Sequence, residues 1–583
     1  MKNKKSYIIC LLAIAVIIFI VTAGLTGCKN AIKYDDSYDF AVREGCSDFY
    51  YSHLSENQQK MYKMLYKEAE DILYNGQEKD NLGTYRFSDY GLSFEEAETV
   101  WYAFRYDASA FFIISNSFSY NSGSMTVKIA PEFLDKSVRE KVLEEVKNSV
   151  EEVRQLLDGI ESSAMKFKII YDYVINHTEY SADDKGNIIF NGYSYSMAGV
   201  LDGDNSTNSI CQGYTQAVKY LCNIFGVECL YVGSEAKDHA VNIVNIDEEW
   251  YYADATLDDT KEDYKYFLNC DDKRWQELSQ QYENASENYL RACLPELKSG
   301  YVNPSYFYGA RTGDFYCSIS KNRDEYYCSI SGCVEGIESI VVPKNFGIFQ
   351  VTSCSIYNCK SLKSVKVSEG FIYSGSYDGC VNLTSVELPQ TIEELGSFSD
   401  CKSLESIEIP SSVTKLDICT FQRCSSLKNV NIPSGVTVIE DYAFDGCSSL
   451  ESIEIPSGVL RIGECAFFGC SSLKSIDIPD TVYTIGRYAD WVGICYSSTF
   501  ANCTSLEYIK LPSTLQFIGT KMFSGCSSLT SIIIPIYSVY RIYSDAFEGC
   551  DNLTIYCEAE SKPTGWDSNW NGDRPVVWGY KAS

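Results

Sequence analysis

Ser209-Ile210-Cys211-Gln212-Gly213-Tyr214-Thr215-Gln216-Ala217, then Asp238-His239-Ala240-Val241-Asn242, then Tyr252-Ala253-Asp254-Ala255-Thr256: within 209–256 a thiol, an imidazole and a carboxylate follow one another, each in a different kind of local sequence. A cysteine nucleophile with a histidine base and an aspartate orienter requires those three groups. Cys211 precedes an apolar helical pattern, Ala217, Val218, Leu221, Ile224 and Phe225, stopped by Gly226. A thiol in the first turn of a helix sits among N–H groups at the positive end of the dipole, which favours the thiolate. Gly213 puts no side chain in the way of a substrate approaching the sulfur. Cys222 and Cys229 lack this placement and are expected to be packed.

After the helix, Glu228 to Gly233 reads as a strand and His239 to Ile246 as a second. A turn at Asp247-Glu248-Glu249 leads into a third strand, expected over Trp250 to Thr256. In a tight antiparallel hairpin about this turn, Asp254 lies nearly opposite Val241 and diagonal to His239, within reach of the imidazole. His239 then faces Cys211 on one side and Asp254 on the other. A zinc site is the competing chemistry for Cys and His, but the chain has 3 His and no C-x-x-C pair beside His239, so no metal and no cofactor are expected.

The order and wording of these segments resemble the transglutaminase-like superfamily, a papain-related Cys-His-Asp fold. Cys211-Gln212-Gly213-Tyr214 is similar to its nucleophile motif, His239-Ala240-Val241-Asn242 to its histidine motif, and Asp254-Ala255-Thr256-Leu257-Asp258-Asp259 to its aspartate motif. The resemblance covers about 135–270. It implies Cys211 as nucleophile, His239 as base and Asp254 as orienter, acting at amide carbonyls through a thioester: cross-linking, deamidation or peptide hydrolysis. Val241 and Leu257 stand where the family often has Trp, which bears on the substrate cleft more than on the three groups. The competing reading is a degenerate enzyme kept for binding.

Upstream, Lys2, Lys4 and Lys5 precede an apolar run from Ile8 to Val21, then Leu25-Thr26-Gly27-Cys28. The run has the length of a signal h-region and is short for a spanning helix. The last four residues resemble a bacterial lipobox, which implies cleavage before Cys28 and a lipid on its thiol, hence an extracytoplasmic chain anchored at the cell membrane surface. An uncleaved membrane anchor is the alternative. Residues 29–55 read as a tether and 56–134 as an α/β lead-in. In the lead-in, helices are expected at Glu56–Tyr74 and Phe94–Phe104, and strands at Ala110–Ser119 and Ser124–Ala130. Helices from Ser137 to Gly159 and from Glu161 to His177 begin the next unit.

Downstream, Pro410, Pro433, Pro456 and Pro479 recur every 23 residues, Pro512 follows after 33 and Pro535 after another 23. Cys401, Cys424, Cys447, Cys470, Cys503, Cys526 and Cys550 keep the same rhythm, with weaker copies at Cys359 and Cys380. A fixed period of this kind means a solenoid. The wording resembles BspA-type bacterial leucine-rich repeats over about 331–556, after a connecting segment at 271–330 and before a C-terminal cap at 557–583. One buried position per coil accounts for the cysteine ladder better than disulfides, since each Cys has like neighbours and no unique partner. Leu450, Ile453 and Ile455 are expected to point inward, Ser452 and Glu454 outward. Glu387, Glu408, Glu454 and Asp477 then form an acidic, Ser-lined stripe on the strand face of the middle coils, in a column that also holds Asn431, Lys510 and Ile533 and so shifts character late. It is either a ligand surface or a solvated face. The ten-residue excess between Pro479 and Pro512 carries Trp491 and Tyr496, candidates for a contact or for packing on the next coil.

The fold class expected is thus multidomain: an α+β transglutaminase-like domain followed by a leucine-rich-repeat β-solenoid. The formal charge of −30 argues against nucleic-acid binding, which needs Lys and Arg to displace counterions. The function expected is a surface-anchored thiol enzyme whose repeats bind a protein or cell-wall target. The alternative is an adhesin in which the papain-like domain is a spacer.

Overall fold

A computed structural model describes residues 31–32, 35, 37–182, 188–203, 208–234, 239–259, 268, 286, 289–290, 292–297, 307–322, 325–489, 494–535 and 538–581. Cys28 and Trp491 lie outside the described residues. Among the described residues no helix is long and apolar enough to cross a membrane.

The N-terminal part is an α+β domain. Four of its helices begin where the sequence supplies caps. Glu56–Leu73 (α2, after the short α1, Phe49–Ser52) starts at a capping box of Ser55 and Gln58, and Phe94–Asp107 (α3) at one of Ser93 and Glu96. Lys136–Leu156 (α4) opens on Asp135 and Ser163–Asn176 (α5) on Ser162. A first sheet holds Ala31–Ile32 (β1), Asn81–Arg86 (β2), Ile114–Asn121 (β3) and Ser124–Ile129 (β4), in the order β1-β2-β4-β3. The expected strand at Ala110–Ser119 begins only at Ile114, because Ala110 to Ile113 turn into the core, all 2% exposed or less.

The stretch expected to be a tether is packed towards its end. Tyr50 is 1% exposed and donates from its hydroxyl to the Tyr231 carbonyl at 2.7 Å. The Asp107 carboxylate, at the end of α3, accepts from Ser47 Oγ and from the Tyr50 and Tyr51 amides.

Cys211–Ile224 (α6) packs on a three-stranded antiparallel sheet of Cys229–Ser234 (β5), His239–Ile246 (β6) and Glu249–Ala253 (β7). The hairpin between β6 and β7 pairs Ile246 with Glu249 across Asp247 and Glu248, both at positive φ (53° and 70°). Such a turn ordinarily takes Asn or Gly. Here the Asp247 carboxylate is held by Ser163 Oγ at 3.1 Å and by the Arg311 amide at 3.2 Å, which fixes the strained turn against its neighbours.

A second sheet leads into the solenoid. Phe307–Thr312 (β8), Phe315–Asn322 (β9) and Glu325–Cys333 (β10) are antiparallel neighbours. Within the connecting segment, Phe307–Thr312, Phe315–Asn322 and the start of β10 are thus strand. β10 pairs in parallel with Phe349–Cys354, Tyr326 facing Phe349, so the 23-residue step starts in β10. Later coils repeat it, with Ser406 opposite Asn429 and Val438 opposite Arg461. Leu450, Ile453 and Ile455 are buried while Ser452 and Glu454 are exposed, as the alternation predicts. Phe398, Phe421, Phe444, Phe467, Phe500, Phe523 and Phe547 form one column, neighbouring ring centroids 5.3 to 5.9 Å apart. At the C-terminal end Val576–Trp578 adds one more parallel strand, and Trp566 and Trp570 close the core.

Candidate functional site

Cys211 is the first residue of α6. Ile210 before it is extended and offers no side-chain cap, so the N-terminal turn is left to main-chain and tertiary partners. The helix start is seated tightly. A Cβ on Gly213 would fall 1.9 Å from Ser209 Oγ and 2.8 Å from the Ser196 carbonyl oxygen. Gly213 thus serves close packing against residues 194–209. Asn242 on β6 donates to the Thr215 carbonyl at 3.0 Å and clamps the second turn of the helix to the sheet.

His239 is the first residue of β6, beside that helix start. Its Nε2 lies 2.7 Å from Asp254 Oδ2, and the ring also hydrogen-bonds the Cys211 sulfur. Burial opposes a charge on the imidazole, but the Asp254 carboxylate and the Cys211 sulfur outweigh it and hold the ring well above its ordinary value. The three residues named from sequence are therefore brought together, with His239 between the sulfur and the carboxylate. Cys211 is 4% exposed and Asp254 1%.

The expected strand over Trp250–Thr256 is corrected here. β7 stops at Ala253, Asp254 leaves the strand, and Ala255–Asp259 is a short helix (α7). Asp254 occupies the position before that helix, and its Oδ1 accepts the Leu257 amide at 3.3 Å. Its Oδ2 accepts from the Tyr252 hydroxyl at 3.1 Å as well as facing His239. Both carboxylate oxygens are thus committed, which fixes the acceptor against the imidazole. Asp258 in turn accepts from the Tyr171 hydroxyl at 2.7 Å, pinning α7 to α5. The reading of the sequence did not single out Tyr252. It lies two residues before Asp254 at the end of a strand, a spacing that puts both on one face and could have found it.

Gln212, next to the thiol, accepts from Arg105 Nη2 at 3.1 Å, and Arg105 also bonds Asn116. A cavity of about 20 Å³ lies among Arg105, Asn116, Tyr195, Ser196 and Gln216, room for about one water molecule. Among the described residues no cluster of His, Cys, Asp and Glu could hold a metal.

The acidic stripe is only partly acidic in space. Glu387, Glu408, Glu454 and Asp477 are all exposed. Glu387 pairs with Lys366 at 2.8 Å, Glu408 faces Asn431 across the strands, and Asp477 faces Lys510. The excess before Pro512 forms an antiparallel pair of Arg487–Ala489 with Ile494–Tyr496, in which Tyr496 faces Arg487.

Residues 331–399, 370–489 and 492–561 match the family model described as BspA type Leucine rich repeat region, in 6 copies. A comparison with curated protein sequences returns no match. Among solved structures, a leucine rich cell surface protein from Faecalibacterium prausnitzii A2-165 is 22% identical, covering 49% of this chain and 96% of its own, at a TM-score of 0.25. The T. pallidum leucine rich repeat protein is 25% identical over 33% of this chain and 87% of its own, at 0.27. A structure described as a TGase is 15% identical over 41% of this chain and 55% of its own, at 0.19. At such TM-scores these likenesses assign nothing to individual residues. The family match and the 23-residue coil together make the C-terminal part of this chain a BspA-type leucine-rich repeat array, joined to an N-terminal α+β domain.

Proposed function

We propose that this chain is a binding protein of the bacterial cell surface, whose repeat array engages a protein target. The observation that carries this reading is the BspA-type array, a long parallel stack with an exposed strand face. A lipid on Cys28 would hold it at the membrane. The test is binding of the intact chain and of a fragment beginning at residue 307, before the first strand of the sheet that opens the array, to surface proteins of candidate target cells. Binding that survives only in a fragment ending before residue 307 would sink the reading.

A second reading adds chemistry to this one, and a specific observation favours it: the 2.7 Å bond between His239 and Asp254, with the Cys211 sulfur bonded to the same ring. In this reading the α+β domain is a transglutaminase-like thiol enzyme that acts on amide bonds of the target the array recruits. Cys211 attacks the carbonyl carbon and His239 carries the proton to the leaving amine, while Asp254 holds the ring. The thioester then passes the acyl group to water or to an amine. An iodoacetamide-type probe on the native protein is expected to label Cys211 ahead of the ladder thiols, and Cys211→Ala to abolish turnover of peptide and amine substrates. Equal labelling at all cysteines, or turnover retained in Cys211→Ala, leaves the domain as a spacer in an adhesin.

A further inference from the structure

The cysteine ladder has one irregular rung. Cys401, Cys424, Cys447, Cys470, Cys503, Cys526 and Cys550 each donate from sulfur to a main-chain carbonyl one coil earlier, at 3.0 to 3.2 Å. Cys380 does the same more loosely, to the Ile356 carbonyl at 3.5 Å. All eight are 0% exposed. One coil before Cys359 the chain is the end of β10, and what meets its sulfur there is the Cys333 sulfur, at 2.9 Å. Both of these cysteines are only half-buried. Other neighbouring thiols, Cys222 with Cys229, Cys317 with Cys328 and Cys526 with Cys550, are fully buried. Among the described residues, Cys333 and Cys359 thus combine direct sulfur contact with access to a reagent.

We propose that Cys333 and Cys359 form a disulfide that closes the N-terminal end of the repeat array. Its position gives it a consequence for the whole chain. The second residue of β10 is Tyr326, whose hydroxyl donates to Asp172 of the α+β domain at 2.8 Å, and the strand ends with Cys333. A bond from Cys333 to Cys359 fastens the far end of that strand to the first coil, so the strand that carries the domain junction can no longer peel from the array. The chemistry is thiol–disulfide exchange with a small disulfide such as oxidised glutathione. One thiolate attacks a glutathione sulfur, the glutathione S–S bond breaks and one glutathione leaves. The second cysteine then displaces the other glutathione and the protein S–S bond forms. The pair loses two electrons and two protons in all, and one oxidised glutathione becomes two reduced. Burial and the neighbouring thiol push Cys333 up to about 12, so its thiolate share is small at neutral pH and grows as pH rises. The proposal is independent of both functional readings.

The test uses the full chain, incubated natively with oxidised glutathione at neutral and at mildly alkaline pH. Free thiols are then blocked and the protein is digested without reduction. The expected product is a single cross-linked peptide pair joining Cys333 to Cys359, formed faster at the higher pH, with the eight ladder cysteines blocked only after denaturation. Cross-linking is expected to raise the thermal midpoint by several degrees. Cys359→Ser and Cys333→Ser each abolish both effects, and Cys419→Ser, at another half-buried thiol, leaves both intact. Recovery of Cys333 and Cys359 as separately blocked thiols or as glutathione adducts, or a bond from Cys359 to another cysteine, overturns the proposal.

Discussion

At the scale of single residues, the centre of the α+β domain is defined by what Asp254 is bound to. Its two oxygens meet His239, Tyr252 and the Leu257 amide, so the carboxylate cannot turn away from the imidazole without losing three bonds. The pH consequence follows from the raised imidazole. Because folding raises it above 6.5, the ion pair's contribution to stability is complete below that value and is lost as pH climbs through the raised one. Wild-type protein is therefore expected to lose unfolding free energy between neutral and alkaline pH, with a smaller loss in His239→Gln; chemical denaturation across that range checks it. Asp254→Asn removes the charge and keeps the shape. The imidazole titration, read by NMR, moves down towards the ordinary histidine value, and if the thiol reading holds, turnover drops by about a hundredfold or more. An unchanged titration in Asp254→Asn would mean that the carboxylate is not what raises the ring.

At the scale of elements, two local conflicts are resolved by neighbours. Lys219 on α6 is 0% exposed and donates to the Asp107 carbonyl at 2.7 Å and to Ser109 Oγ at 3.3 Å. Burial pushes the Asp107 carboxyl up to about 6 even with Lys219 beside it. The buried ammonium thus joins the helix of the thiol to the end of α3. Lys219→Met removes the ammonium's bonds to the Asp107 carbonyl and to Ser109 and is expected to cost about 1–3 kcal/mol in denaturant unfolding. No measurable cost would show that this junction does not depend on the ammonium. The β6–β7 turn is the opposite case. Exposed Glu248 sits at φ 70°, where a side chain is strained. Glu248→Gly is expected to stabilise by about 0.5–1 kcal/mol, and a loss of stability would mean that the glutamate makes a contact that offsets the strain.

At the scale of the whole molecule, the domain and the array share an interface that reaches the core. Lys168 and Asp172 form an ion pair at 2.7 Å with side chains 4% and 1% exposed, and Tyr326 of β10 donates to the second oxygen of Asp172. Thr312 of β8 lies on Met165 of α5, 3.6 Å from its sulfur. Tyr326→Phe removes that donor from the carboxylate and is expected to cost about 1.5–3 kcal/mol of coupling between the two parts. Calorimetry is the check: the variant's single transition should broaden or split, and an unaltered transition would place the coupling elsewhere.

What the sequence determined by itself was whatever repeats or follows a local rule. The 23-residue period specifies the coil, and alternation specifies that Ile453 and Ile455 point in and Glu454 out, because each coil meets the same environment as the last. Capping residues likewise mark the starts of α2 to α5, and the hairpin register puts Asp254 near His239. The rest is decided by packing or by a choice between competing local structures. The strand ends at Ala253 because Asp254 caps a helix, and Tyr252 shares its carboxylate only once the hairpin has closed. The late change in the acidic stripe was legible as Lys510 in the column, whereas the pairing of Glu387 with Lys366 on the preceding coil was not. Cys333 finds Cys359 because a strand outside the regular ladder occupies the place of the missing coil. A pattern records what each residue prefers; only the folded chain decides which partner, among many of the same chemistry, stands within bonding distance.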